Sequence, residues 1–232
     1  MATELVLIRH GHAVRINGKY VNAPLTTLGE QQAALTGELL CRAGEELDGF
    51  YCSPLRRTKE TAAIIGSKVK QIPNIKNGIQ ELEGLEVPQL VLFEFLAHVG
   101  FFGQYLYQNI GKPITWPIIG RVSTVVTELL PRYPGQRLVL VTHSGVISSV
   151  LAWFFPGKRR RWWRYTVDNC SFTRLKVEGT TAELLVVNDT LHLRPELTTS
   201  QPPTQAVQVA KEVEQKVVPP TPLTPAPPVG EK

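Results

Sequence analysis

Two apolar runs in this chain end on a histidine. Leu5-Val6-Leu7-Ile8 stops at Arg9-His10-Gly11, and Leu138-Val139-Leu140-Val141 stops at Thr142-His143-Ser144-Gly145. A glycine follows each histidine at once or one residue later, where the backbone can turn tightly. A neutral imidazole can serve as nucleophile, proton carrier or metal ligand. A guanidinium is a fixed positive fork that matches phosphate oxygens. Two imidazoles and Arg9 at strand ends therefore suit a phosphate. His12, two residues after His10, leaves a second reading open, a His-x-His metal site. A polar strand end without chemistry is the third.

A further basic element stands at residues 53–57, where Ser53-Pro54-Leu55 leads into Arg56-Arg57 and a helical pattern. A helix start with an arginine is a ready anion site, and two solvated surface arginines are the plain alternative. The metal reading needs more ligands than the chain offers. Beyond His10 and His12 only His98, His143 and His192 remain. The chain is also short for a (β/α)8 barrel, and Arg9 would repel a cation.

Such residues must be placed by regular elements. Residues 4–8 read as a buried strand, and 24–44 as a helix with capping-box spacing at Thr27 and Glu30 and Gly44 as its stop. Residues 47–53 read as a second strand, and 54–69 as a helix with Pro54 in its first turn. A helix over 118–130 follows Pro117. The clearest buried strand is 136–145, followed by a helix over 146–155. Residues 170–179 and 181–189 read as a closing hairpin with Gly179 in its turn. The alternation predicts an α/β fold, a three-layer α/β/α sandwich with a mostly parallel central sheet. Ligands in such folds sit at the carboxyl ends of strands, where His10 and His143 fall.

With these motifs in place the chain resembles the histidine phosphatase superfamily, in its phosphoglycerate mutase-like branch. The matching segments are Arg9-His10-Gly11, residues 24–33, a Ser-x-x-x-Arg-x-x-Glu-Thr-Ala pattern through Ser53, Arg57, Glu60, Thr61 and Ala62, then His143, and the closing strands. The resemblance implies a histidine phosphatase domain over 1–195 and a phosphomonoesterase working through a phosphohistidine. His10 would be the nucleophile, and Arg9, Arg57 and His143 would hold the phosphoryl oxygens; Arg56 would not. Glu81 is the implied proton donor, with Glu83 in reserve. Asn17 is a candidate phosphate ligand, one residue later than the family's usual asparagine. His12 and Ser144 depart from the family pattern, and Gly84-Leu85-Glu86-Val87 replaces a common Gly-x-Trp-Glu-Gly. His10 should be neutral, whereas a charged His143 would be the better donor. No metal and no organic cofactor are expected. Phosphoglycerate mutase-type transfer and a non-catalytic phosphate-binding module are the alternatives.

Composition frames this reading. The chain has 232 residues, 43% hydrophobic, with a net charge of +5, which suits a soluble protein handling anions. The three cysteines, Cys41, Cys52 and Cys170, form no disulfide framework. With no leader pattern at the N-terminus, a cytoplasmic location is expected. Residues 90–107 are apolar and nearly long enough to span a bilayer, but Glu94 and His98 interrupt them. A buried helix or an apolar lid is the reading of 87–116, and a lid would favour aryl or lipid-like phosphate esters over hydrophilic ones. The basic patch over 158–164 is a candidate weak contact for an anionic surface, and no nucleic-acid motif accompanies it. Eight of the 18 prolines lie between residues 202 and 228, so 196–232 reads as a disordered, Pro-rich tail. A small-molecule phosphate ester is the expected partner.

Overall fold

The computed structural model describes residues 1–14, 22–43, 46–69, 78–86, 120–156 and 167–199. Six strands form one sheet: β1 (Thr3–Arg9), β2 (Gly49–Cys52), β3 (Ile79–Glu81), β4 (Arg137–Thr142), β5 (Phe172–Glu178) and β6 (Thr181–Asp189). Their spatial order is β3-β2-β4-β1-β5-β6. The first four are parallel, and β5 and β6 close the sheet antiparallel. Helices α1 (Thr27–Arg42), α2 (Arg56–Val69), α3 (120–129) and α4 (Ser144–Phe154) cover it.

The strands are apolar on both faces because both are covered, as parallel sheets require. Successive side chains point to opposite faces. Leu5, Leu7, Leu138 and Leu140 pack with Val122 and Val126 of α3 and Ile147 and Val150 of α4. Val6, Ile8, Val139 and Val141 pack with Ala33 and Leu40 of α1 and Ala62 and Ile65 of α2. The expected three-layer sandwich is therefore present, with two cores separated by the sheet.

Local details differ from the sequence expectation. Thr26, not Thr27, caps α1, its hydroxyl accepting from the Gly29 N–H at 3.2 Å. Pro54 lies in the bend before α2 rather than in its first turn. Helix α4 starts at Ser144, directly after His143. The three-residue β3 carries no periodicity long enough to read. Gly179 does occupy the hairpin turn, with φ of 59°. Beyond residue 195 the chain still bonds to the domain: the Gln32 side-chain amide donates to the Leu197 carbonyl at 2.6 Å. Residues 200–232, the 87–116 segment, the 158–164 patch and Gly44 lie outside the described residues. Among the described residues, no helix is long and apolar enough to cross a membrane.

Candidate active site

The parallel register sets the site. Arg9 pairs with Thr142, Cys52 with Val141, and Cys52 with Glu81. The residues that follow, His10, His143 and Ser53, therefore leave the sheet at one edge, beside Glu81. Strand β5 runs the other way, so its leading segment, Val167 to Ser171, arrives at the same edge.

Arg57, in the first turn of α2, is buried between the two imidazoles. Its Nε donates to His10 Nε2 and its Nη2 to His143 Nδ1, each at 3.2 Å. The rings lie 5.1 Å apart, edge to face. A guanidinium only donates, so both facing ring nitrogens present lone pairs. The other nitrogens are fixed by what remains. His10 Nδ1 donates to the Gly11 carbonyl at 2.7 Å, and His143 Nε2 donates to Ser53 Oγ at 3.0 Å. Arg9 is half-buried, and its Nη1 donates to the Val167 carbonyl.

Burial, then the charges of Arg9 and Arg57, hold the His10 pKa well below the usual histidine value; the Gly11 carbonyl opposes this only in part. Burial, then His10, Arg57 and Arg9, depress His143 in the same way. Both rings are therefore neutral at pH 7. The expectation of a charged His143 beside a neutral His10 is corrected: burial first, and the positive charges of Arg57 and Arg9 after it, act on both.

The loop carrying His10 is pinned along its length. Asn169 Nδ2 donates to the His10 carbonyl at 2.7 Å, and the Gly11 N–H donates to Thr61 Oγ1 at 3.0 Å. The His12 N–H donates to Gln32 Oε1 at 2.8 Å, and the His12 ring bonds to Thr26 Oγ1 at 2.9 Å. His12 thus ties the loop to the start of α1, and the ring that meets His10 is His143. Gly11 does not supply a left-handed turn. It supplies clearance, since a Cβ there would stand 2.6 Å from the Gly29 carbonyl oxygen.

The family model of the histidine phosphatase superfamily (branch 1) matches residues 5–190. The chain belongs to that superfamily. It is 29% identical over 161 residues to a metal-independent phosphoserine phosphatase of Arabidopsis thaliana, covering 64% of this chain and 67% of that one. A phosphoserine phosphatase of Entamoeba histolytica, solved with 3-phosphoglyceric acid, superposes with a TM-score of 0.66 at 20% identity, over 83% of this chain and 100% of that one. A phosphoglycerate mutase of Bacillus anthracis has a TM-score of 0.65 at 16% identity, over 82% and 95%. The fold is phosphoglycerate mutase-like, and the protein is a histidine phosphatase, a phosphoric monoester hydrolase.

In this histidine phosphatase Arg9, His10, Arg57 and His143 come together. Arg56 is exposed, ion-paired with Glu60 at 2.7 Å. Glu81, at the end of β3, is 55% exposed and ion-paired with Lys59 at 3.3 Å. Glu83 lies exposed in the turn beyond it. Asn17 lies outside the described residues. Ser53, Thr61 and Asn169 were legible only as motif letters, because their partners are distant in sequence. Gln32 lay within the matching segment 24–33, but nothing in that segment singled out its amide.

Proposed function

We propose that this phosphatase hydrolyses a small-molecule phosphate monoester through a phosphohistidine on His10 Nε2. The observation that carries the reading is the His10 tautomer. The Gly11 carbonyl holds the proton on Nδ1, so the Nε2 lone pair faces the Arg57 fork. That pair attacks phosphorus while the ester P–O bond breaks. Glu81 gives the leaving oxygen its proton. Arg9, Arg57 and His143 bind the phosphoryl oxygens as charge spreads over them. The incoming phosphate dianion supplies the negative charge that His143 lacks, and favours its protonation to a donor. In the second step water attacks phosphorus and Glu81 takes its proton. The P–N bond then breaks, returning the electron pair to Nε2.

Glu81 is preferred to Glu83 because its strand pairs with Cys52, next to Ser53 at the site edge. The names of the relatives make phosphoserine the first substrate to assay, beside 3-phosphoglycerate and an aryl phosphate. The test is a rapid acid-labile phosphate trap with the His10→Ala variant alongside. Phosphate should appear on His10 of the native enzyme, and the variant should not turn over. Undiminished hydrolysis by the variant would end this reading.

A further inference from the structure

The two peptide units around Gly11 are held separately. The first, joining His10 to Gly11, is fixed by Asn169 and Thr61. The second, joining Gly11 to His12, has different partners. Its carbonyl accepts from His10 Nδ1, and its N–H donates to Gln32 Oε1. Gln32 is fully buried in α1. Its Nε2 donates onward to the Leu197 carbonyl at 2.6 Å, in the short 3-10 turn Pro195–Leu197 beyond the closing hairpin. The orientation of the Gln32 amide is not ambiguous, since a backbone N–H only donates and a carbonyl only accepts. Ring N–H, peptide, side-chain amide and terminal carbonyl therefore form one unbroken line, each group donating to the next.

We infer that Gln32 is a positioning residue for the nucleophile: with the Leu197 carbonyl it completes a two-amide relay that holds His10 in the Nδ1–H tautomer and takes up positive charge as Nε2 is phosphorylated. The peptide bond is rigid, so fixing the His12 N–H also fixes the Gly11 carbonyl. That carbonyl decides which nitrogen of His10 carries the proton. A phosphoryl group on Nε2 draws electrons from the ring and makes Nδ1–H a stronger donor. Each bond in a low-dielectric chain polarises the next, so the relay strengthens as the intermediate forms. The relay is built of neutral amides, so it brings no negative charge of its own to the ring.

The inference rests on His10 as nucleophile, so the measurements separate the two. Nitrogen NMR of the ring reports the tautomer directly. Gln32→Met removes both relay bonds at similar volume. It should give a mixed His10 tautomer and about a tenfold loss in kcat, with KM within about twofold. Gln32→Glu keeps an acceptor for the His12 N–H and, protonated at this buried position, a donor for the Leu197 carbonyl, so it should keep both the tautomer and most of the activity. A folded Met variant with native tautomer and native kcat overturns the relay. If that variant does not fold, the native protein decides. On adding vanadate, the Gln32 side-chain N–H and the His12 N–H should move downfield together with the His10 ring. A Gln32 amide that stays still while the ring responds overturns the relay and leaves the nucleophile in place. A ring indifferent to vanadate, with hydrolysis intact in His10→Ala, overturns both.

Discussion

At the scale of single residues, one guanidinium organises the chemistry. Arg57 touches both imidazoles, and its charge is among the causes that keep both neutral. In an NMR titration of the native protein neither ring should take up a proton as pH falls from 8 through 6.5. Arg57→Ala should move both titrations upward without restoring the ordinary value, because burial is the larger cause and remains. The same variant should lose about 10²–10³ in kcat, the scale of removing one preorganised donor from a developing anion. If both rings titrate near 6.5 in the native protein, the electrostatic account is wrong. Arg56, one residue earlier on the helix, points away to Glu60, and Arg56→Ala should leave kcat unchanged.

At the scale of elements, the site depends on how closely the His10 loop meets the start of α1. The loop and the helix touch through Gly11 and Gly29. A Cβ on Gly29 would stand 2.1 Å from the His12 carbonyl oxygen and 2.8 Å from its nitrogen, both backbone atoms. Neither can swing aside as a side chain would. Gly29→Ala should therefore force the loop off the helix and cost about 1–3 kcal/mol of stability, as overpacking does. It should also lower kcat, since His12 and Gln32 would part. The check is thermal melting together with steady-state kinetics. A Gly29→Ala variant with native Tm and kcat would show that this contact is not tight in solution.

At the scale of the whole molecule, burial of neutral histidines links stability to pH. His10, His143 and His192 all have folded pKa values below the ordinary 6.5. Burial takes His192 down to about 4, with Asp189 opposing. Below 6.5 the unfolded chain binds protons that the folded chain refuses, so stability falls as pH falls. It is fully present above about 6.5. For His192 the loss runs from there to about pH 4, on the order of 3 kcal/mol at 1.4 kcal/mol per unit. Denaturant melts at pH 7, 6, 5 and 4 should follow this course, and His192→Gln should flatten the slope by one proton. A slope unchanged in that variant would exclude His192 as a contributor. Chelation tests the charge balance of the whole site. With Arg9 and Arg57 supplying the positive field, activity should persist through exhaustive EDTA treatment. Loss of activity restored by zinc would reopen the His-x-His reading.

The amino-acid sequence determined the architecture and pointed to Arg9, His10, Arg57 and His143, which the fold brings together, because both are written in local terms. Apolar runs such as Leu5–Ile8 and Leu138–Val141 are buried on both sides, and that pattern demands covered parallel strands. Histidines at the ends of two such runs fall at one sheet edge whatever the loops do. The Ser53-to-Ala62 pattern separated Arg57 from Arg56 through a family resemblance, without giving the cause. Only the tertiary structure decided the protonation states and the supports. Two histidines 133 residues apart become buried together, and both feel Arg57's field, only once packed. Burial first, and that field second, is why His143 is neutral and not the expected cation. Gln32, Asn169 and Leu197 support the His10 loop, directly or through one another, from a helix, a loop and a late turn. Hydrogen bonds between chain segments so distant leave no period, and even where a motif holds a partner its bond becomes visible only when the sheet has brought the strand ends together.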